Sequence, residues 1–501
     1  MNLATAFAAT ARAHPAKTAV YWGETEVTYA KLAAQTRRLA AHLQQKFGLK
    51  PQERVGIWLK NCPEFVSALF AVLEAGAVVV PINNFLKADE VGYIVQDAGI
   101  NIIITDAACR ESWPRLSELC PKLRTWEIEN FSALPSEEPS EAGQRRESED
   151  LAVIIYTSGT TGRPKGAMLS HGNLLANVES CRLVLEAVGD DRVVVLLPMF
   201  HSFMLCVGIL LPMLTGGSMV VIKSVHPPRN VVNEIMQRHA TILPAVPQFF
   251  RTFAHTAVPE NFPLRLCISG GAPLPGEILK EFNAKMEVPL LEGYGLSEAS
   301  PVVSFNPIRG PWKAGSIGVP ISGVEVTVQD DHGDMLATGE TGEICVRGAN
   351  VMLGYWNQSE ETAKVMRGKW LLTGDIGHRD QEGYFFITDR KKDMLLVNGI
   401  NVYPREIEEV LYQFPGVKEA AVIGQPDPRK GEQPIAFVAP NEGVQLEEKP
   451  IQQFLRERLA DYKIPRRVHF LAALPRNATG KIVKTALRDL CRRPAEGAEP
   501  D

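Results

Sequence analysis

The chain has 501 residues, 45% of them hydrophobic and 22% charged, and a net charge of −5. That length exceeds one ordinary core and calls for roughly two to four structural units, while the lack of a basic field excludes nucleic acid as an evident partner. Eight cysteines are scattered with no C-x-x-C pair, which argues against zinc and disulfide frameworks and leads us to expect a reducing, cytoplasmic setting.

The N-terminus, MNLATAFAATARAHPAKTAV, lacks a charged start and a long apolar core, so no signal peptide is expected. Helical and strand-like patterns then alternate. Residues 27–48 and 62–78 read as helices, 54–59 and 78–82 as strands, 88–99 as a helix and 101–105 as a strand. Residues 132–150 are polar and charged and read as a surface loop. The apolar run 151–155 (LAVII) has the length and β-branched content of a buried strand. After a helix from His171, further strands are predicted at 193–198, 241–246, 264–271 and 289–295. Between them, 202–222 carries no charge and is long enough to span a bilayer. Pro212 and Gly216-Gly217 break it, which predicts a buried helix over 203–214, a turn and a strand over 218–222, with at most peripheral membrane contact. From about 315 to 389 short strands and Gly turns predict a small β-rich subdomain. The charged run DRKKD (389–393) precedes an α+β tail long enough to be its own domain, and the last residues, PAEGAEPD, are expected to be disordered. The fold class is α/β: a large N-terminal domain of helix-flanked sheets with the β-rich subdomain, followed by a small α+β domain.

The strand 151–155 runs into YTSGTTGRPKG (156–166). Glycines allow a backbone to turn sharply and present several N–H groups on one side. The hydroxyls of Thr157, Ser158, Thr160 and Thr161 add donors, Gly159 and Gly162 add freedom, and Lys165 adds a point charge. Such a loop suits a polyphosphate. It is not the G-x-x-x-x-G-K-[ST] loop, because Pro164 stands where the second glycine belongs and Gly166 follows the lysine. Composition alone also fits a flexible linker.

Other stretches look out of place in a plain scaffold: LLPMFH ending at His201, SGGAPLP (269–275), EGYGLSE (292–298), WLLTGDIG around Asp375, DRKKDMLLVNG (389–399) and PRNATGK ending at Lys481. Singly, each has a structural alternative. A lone histidine at a strand end is commonly structural, Glu298 could answer a helix dipole, Asp375 could cap a turn, DRKKD could be a solvated run, and Lys481 could be a surface lysine.

In this order, these stretches resemble the core motifs of the adenylate-forming superfamily of acyl-CoA synthetases, peptide-synthetase adenylation domains and firefly luciferase. The resemblance runs from near the N-terminus to about residue 490. Ser297 departs from the threonine common before the glutamate and keeps a hydroxyl. The resemblance implies ATP, Mg²⁺ and coenzyme A acting on a carboxylic acid. It implies that loop 157–166 holds the β- and γ-phosphates, that Glu298 binds Mg²⁺ and that Ser297 contacts phosphate. Gly271, Ala272, Pro273, Tyr294 and Gly295 would surround adenine, Asp375 would take the ribose hydroxyls and Arg390 would assist. Lys481 would bridge the carboxylate and the α-phosphate, with His201 beside the acid. It also implies a mobile C-terminal domain, with units at 1–389 and 394–491 joined by a hinge at 390–393 around Lys392, a tail at 492–501, and Gly399 lining the thiol tunnel after rotation. An apolar region at 199–251, including Phe200, Phe203, Met204, Phe249 and Phe250, points to a medium- to long-chain fatty acid. An aryl acid of the coumarate or benzoate type is the alternative, and a luciferase-like monooxygenase or a non-catalytic acyl-binding protein are further ones. The absence of an insertion between Gly348 and Trp370 favours free coenzyme A. Similar enzymes also raise a homodimer and a lysine acetyltransferase acting on Lys481 as expected partners.

Overall fold

The computed structural model describes residues 1–134, 145–157, 163–477 and 480–492. Among these the backbone forms three sheets. The longest has Thr25–Thr28 at one edge, antiparallel to Thr18–Trp22, which is followed by Ser218–Val221, Arg192–Val195, Ile242–Ala245, Leu266–Ser269 and Leu290–Gly295, parallel and side by side in that order. Buried on both faces, the central strands are continuous apolar runs such as MVV and LCI. Beyond Leu290–Gly295 the sheet turns antiparallel through Val302–Phe305, Ser316–Pro320, Phe385–Arg390, Trp370–Arg379, Gly342–Gly348 and Val324–Gln329. The β-rich region expected at 315–389 is therefore bonded into the same sheet. Val302–Phe305 makes the join, pairing with strands on both sides. A Cβ at Gly318 (φ +83°) would lie 2.1 Å from the Phe305 carbonyl carbon, so only glycine fits this approach.

The second sheet runs Gly354–Tyr355, Lys165–Ser170, Leu151–Thr157, Val78–Pro81, Arg54–Trp58, Ile102–Thr105, Arg124–Glu127. Leu151–Thr157 and Lys165–Ser170 pair antiparallel, with Thr157 opposite Lys165 and Tyr156 opposite Gly166. The third sheet holds Ile400–Val402, Leu395–Val397, Gly431–Pro440 and Val417–Asp427, with Val468–Phe470 beside Gly431–Pro440. It has its own core, in which Ile451 and Leu455, four apart on helix Glu448–Arg456, pack against strand residues such as Val422 and Val438. A large N-terminal α/β domain and a small C-terminal α+β domain result, as expected.

The segment predicted as one helix over 203–214 is a π-helix, Met204–Leu210, continued by an α-helix, Leu211–Thr215. The Met204 side chain lies against Gly208, where a Cβ would come 2.0 Å from its sulfur and the flexible thioether would have to move aside. Pro212, which has no N–H to give, sits just after the change of helix type. Both pieces are buried, and no described helix is long and apolar enough to cross a membrane.

Helix His171–Val184 is clipped to the sheet by fully buried Asn177. Its Nδ2 donates to the Val302 carbonyl (2.7 Å), and its Oδ1 accepts from the Val302 N–H (3.1 Å). Asn177→Ala removes both bonds without replacement and should destabilise the large domain by about 2–3 kcal/mol, read as a lower thermal unfolding midpoint.

Candidate active site

Four turns, three of them motif stretches, leave the carboxyl ends of adjacent parallel strands. Residues 196–201 follow Arg192–Val195, Val246 follows Ile242–Ala245, 270–274 follow Leu266–Ser269, and 296–298 follow Leu290–Gly295. The crevice outside such strand ends is where open α/β sheets bind ligands. Here it is a narrow cleft lined by Leu197, Pro198, His201, Phe203, Val246 and Gly271, about 10 Å³, close to what one water needs. A Cβ on Gly270 would meet the Phe203 ring at 3.2 Å, so glycine there lets the ring lie against the turn.

Asn61 fixes the first turn, donating to the Leu197 carbonyl (2.8 Å) and accepting from the Met199 N–H (2.9 Å). His201 follows, its Nδ1 accepting from the Phe203 N–H at 3.3 Å. Burial, then the charge of Lys481, pushes the imidazole down to about 4, so it is neutral at physiological pH. The Ser202 and Ser297 hydroxyls meet at 3.1 Å, tying this turn to EGYGLSE.

Asp375 and Arg390 are register partners on adjacent strands. Arg390 Nε donates to Asp375 Oδ1 (2.8 Å) and the Tyr294 hydroxyl donates to Oδ2 (2.5 Å). Asp375 is buried, whereas the Arg390 side chain is 37% exposed. Burial and the Asp375 charge hold the Tyr294 hydroxyl well above its usual range. Gly271 (φ +80°) and Pro273 are open to solvent beside them, and Ala272 is half-buried. Beneath, buried Glu292 accepts the Leu274 N–H at 3.1 Å, and burial pushes its carboxyl up to about 7.

Across the cleft, Glu298 Oε1 accepts the Tyr355 hydroxyl (2.8 Å), and its carbonyl accepts the Met352 N–H (2.9 Å). Lys165 is buried and paired with Glu361, its Nζ 5.3 Å from the centre of the Tyr355 ring. Hydrogen bonding to Lys165, then to Lys364, pulls the Glu361 carboxyl down to about 2.

Lys481 comes from the small domain. Its N–H donates to Asn477 Oδ1 (2.9 Å), and a Cβ at neighbouring Gly480 would be 3.4 Å from Val246 of the cleft wall. Desolvation of the amine, then repulsion from Arg390, pushes it down to about 8, although the residue as a whole keeps contact with solvent. The seam is bonded elsewhere too. Arg251 bridges Glu281 and the carbonyl of Lys418, and the Gly276 N–H donates to Glu409 at 3.4 Å. The domains therefore stand closed, with Lys481 facing His201, Asp375 and Arg390.

Of the predicted residues, the structure gathers Tyr294, Asp375, Arg390, His201, Gly271, Ser297 and Lys481 around one cleft, and brings Glu298 and Lys165 together around Tyr355. Thr157 is half-buried at the base of the loop. Ser158, Gly159, Thr160, Thr161 and Gly162 lie outside the described residues, as do most of the expected 132–150 loop and nearly all of the tail. Gly295 is exposed, and a Cβ there would strike the Pro301 carbonyl at 2.1 Å. Gly399 stands exposed at a hairpin tip (φ +79°) with open space beside it, and joins none of these contacts. Lys392 lies in the turn after Arg390. Asn61, Glu292, Tyr355 and Glu361 were missed. No spacing signal pointed to them, because each acts on a residue distant in the chain or on a turn's backbone.

Fold and site are those of an adenylate-forming enzyme. Residues 7–356 match the AMP-binding enzyme family and 406–481 match the AMP-binding enzyme C-terminal domain. The chain belongs to this family. It is 35% identical to the long-chain-fatty-acid–CoA ligase of Bacillus subtilis (strain 168), covering 94% of this chain and 91% of the relative. It is 37% identical to the feruloyl-CoA synthase of Amycolatopsis sp, covering 95% and 96%. The crystal structure of ATP-bound MatB from Rhodopseudomonas palustris superposes with a TM-score of 0.90 at 32% identity, over 98% of this chain and 99% of that one. The apo form of the same protein gives 0.79, so the closed arrangement is closer to the ATP-bound form. The enzyme class is that of AMP-forming acid–CoA ligases, which implies ATP and CoA as co-substrates.

Asp375→Asn leaves Arg390 without its anion. Because Arg390 is partly solvated, the expected loss is about 1–2 kcal/mol, below the figure for a fully buried pair. It should appear as a lower unfolding midpoint without nucleotide.

Proposed function

We propose that the enzyme activates an apolar carboxylic acid, a medium- to long-chain fatty acid, to its adenylate and passes the acyl group to coenzyme A. A carboxylate oxygen attacks the α-phosphorus of ATP and pyrophosphate leaves. The CoA thiol then attacks the acyl carbonyl and AMP leaves. The first step brings two anions together, so it needs positioned positive charge more than covalent help.

In this reading Lys481 bridges the carboxylate and the α-phosphate, and Asp375, held by Arg390 and Tyr294, accepts the ribose hydroxyls. Gly271, Ala272, Pro273, Tyr294 and Gly295 flank adenine, and Ser297 contacts phosphate. The loop from Thr157 to Lys165 grips the β- and γ-phosphates, and neutral His201 borders the acid. Among the described residues no cluster of three metal-ligating side chains occurs. A single carboxylate, Glu298, fits Mg²⁺, which prefers few protein ligands beside phosphate oxygens and water. Bound there, the ion would neutralise phosphate charge. Large and small units at 1–389 and 394–491, hinged at 390–393, would turn between the half-reactions and bring Gly399 to the thiol.

The observation that carries this reading is the seam that sets Lys481 against Asp375, Arg390 and His201. For the acid, support comes from a cleft whose walls are apolar apart from His201, and from likeness to a long-chain-fatty-acid–CoA ligase. An aryl acid is the second reading, favoured by the narrowness of the cleft and by the Phe203 ring against Gly270.

Pyrophosphate release across fatty and aryl acids should be highest with fatty acids; a clear preference for aryl acids reverses that choice. Lys481→Ala should abolish adenylate formation and leave thioester formation from supplied acyl-adenylate largely intact. Equal loss of both steps removes the proposed role. Since the ammonium form is required and its pKa is pushed down to about 8, adenylation should decline as pH rises through about 8, and Lys481→Arg should move that decline upward. A limb unmoved by Lys481→Arg would assign it to another group.

A further inference from the structure

Lys165 cannot choose its position freely. Its backbone is fixed opposite Thr157 at the base of the hairpin, and its side chain is only 9% exposed. An ammonium so enclosed needs an anion at all times, because an unpaired buried charge is costly. Among the described residues that anion is Glu361 of helix Ser359–Val365, 196 positions away in the chain. Glu361 is also paired with Lys364, one turn along the same helix. One carboxylate therefore serves two lysines, one buried and one exposed.

The preceding strand fixes this arrangement. Gly354 and Tyr355 pair with Met168 and Ala167, directly after Lys165 in the hairpin. The Tyr355 N–H donates to Thr362 Oγ1 (2.8 Å), which orients the helix start. The Tyr355 ring covers Lys165 while its hydroxyl holds Glu298. The segment 354–361 thus touches both groups assigned to the phosphate tail.

We propose that Glu361 is an exchange counter-ion for Lys165: the β- and γ-phosphates of bound ATP draw Lys165 away from it, and Lys165 returns to it as pyrophosphate leaves. Lys364 makes the exchange workable, since Glu361 keeps a cation when Lys165 turns to phosphate. Competition from Glu361 weakens the grip on pyrophosphate and so assists its release. The proposal rests on the reading that Lys165 holds these phosphates.

The test is calorimetric binding of magnesium pyrophosphate to the full-length protein, with product inhibition by pyrophosphate as the kinetic counterpart. Glu361→Gln removes the competing charge and should tighten pyrophosphate binding roughly three- to tenfold, while Glu361→Asp, which keeps the charge, returns it toward wild type. Lys364→Ala leaves Glu361 with Lys165 alone and should loosen binding by about threefold. These opposite signs are not what loss of local structure would give, since that weakens binding in every variant. Unchanged or weaker binding in Glu361→Gln, or tighter binding in Lys364→Ala, overturns the proposal, and the second variant decides the matter if the first does not fold. Lys165→Ala separates the two levels. If it leaves pyrophosphate affinity unchanged, the reading of Lys165 itself fails. If it weakens affinity while the Glu361 and Lys364 variants do nothing, only the exchange fails.

Discussion

Hydrogen-bond spacing between parallel strands governs this site. Adjacent strands lie about 4.8 Å apart, so turns leaving four neighbours fall within about 15 Å of one another. Arg192–Val195, Ile242–Ala245, Leu266–Ser269 and Leu290–Gly295 are such neighbours, although residues 196–298 separate their turns in the chain. The same sheet then continues antiparallel to the strand pair carrying Asp375 and Arg390 in register. These strand-end turns and the Asp375–Arg390 pair are therefore parts of one bonded surface.

Charge arrives at that surface from two other places. The second sheet brings Lys165 through its hairpin, braced by Tyr355 and Glu361. The small domain brings Lys481 across a seam held by Arg251 and Glu409. The first cation is enclosed and paired with Glu361. The second is solvent-accessible, with its amine pushed down by its surroundings. On the reading proposed above, the enclosed lysine serves the leaving phosphates, and the delivered one serves the bond being made.

Much of the fold was legible because its signals are local. Apolar runs gave the buried strands, and glycine-rich turns marked their ends. Order and identity of the motifs, more than any single residue, pointed to the family. What could not be read was pairing. KGAMLS (165–170) has no strong strand signature, yet it pairs antiparallel with Leu151–Thr157. At Met204–Leu210 the backbone winds as a π-helix with Met204 lying against Gly208, which no periodicity reveals. Asn61, Tyr355 and Glu361 carry no motif, and Glu292, though it opens EGYGLSE, carried no assigned role. They became visible only when distant segments were brought together, as with Glu361 and Lys165. The β-rich region looked separate because its turn spacing changes, but hydrogen bonding through Val302–Phe305 joins it to the main sheet.

The central claim is that one cleft serves two reactions because the small domain turns about Lys392. Among the described residues that residue's N–H has no backbone acceptor, whereas Lys391, Asp393 and Met394 each donate to one. Proline at 392 would thus stiffen the turn while sparing those bonds. Single-turnover measurement of both half-reactions in Lys392→Pro is the direct test. The account predicts adenylate formation near the wild-type rate and thioester formation from supplied acyl-adenylate slowed at least tenfold, roughly 1.4 kcal/mol in the barrier. Unchanged thioester formation in that variant would contradict it.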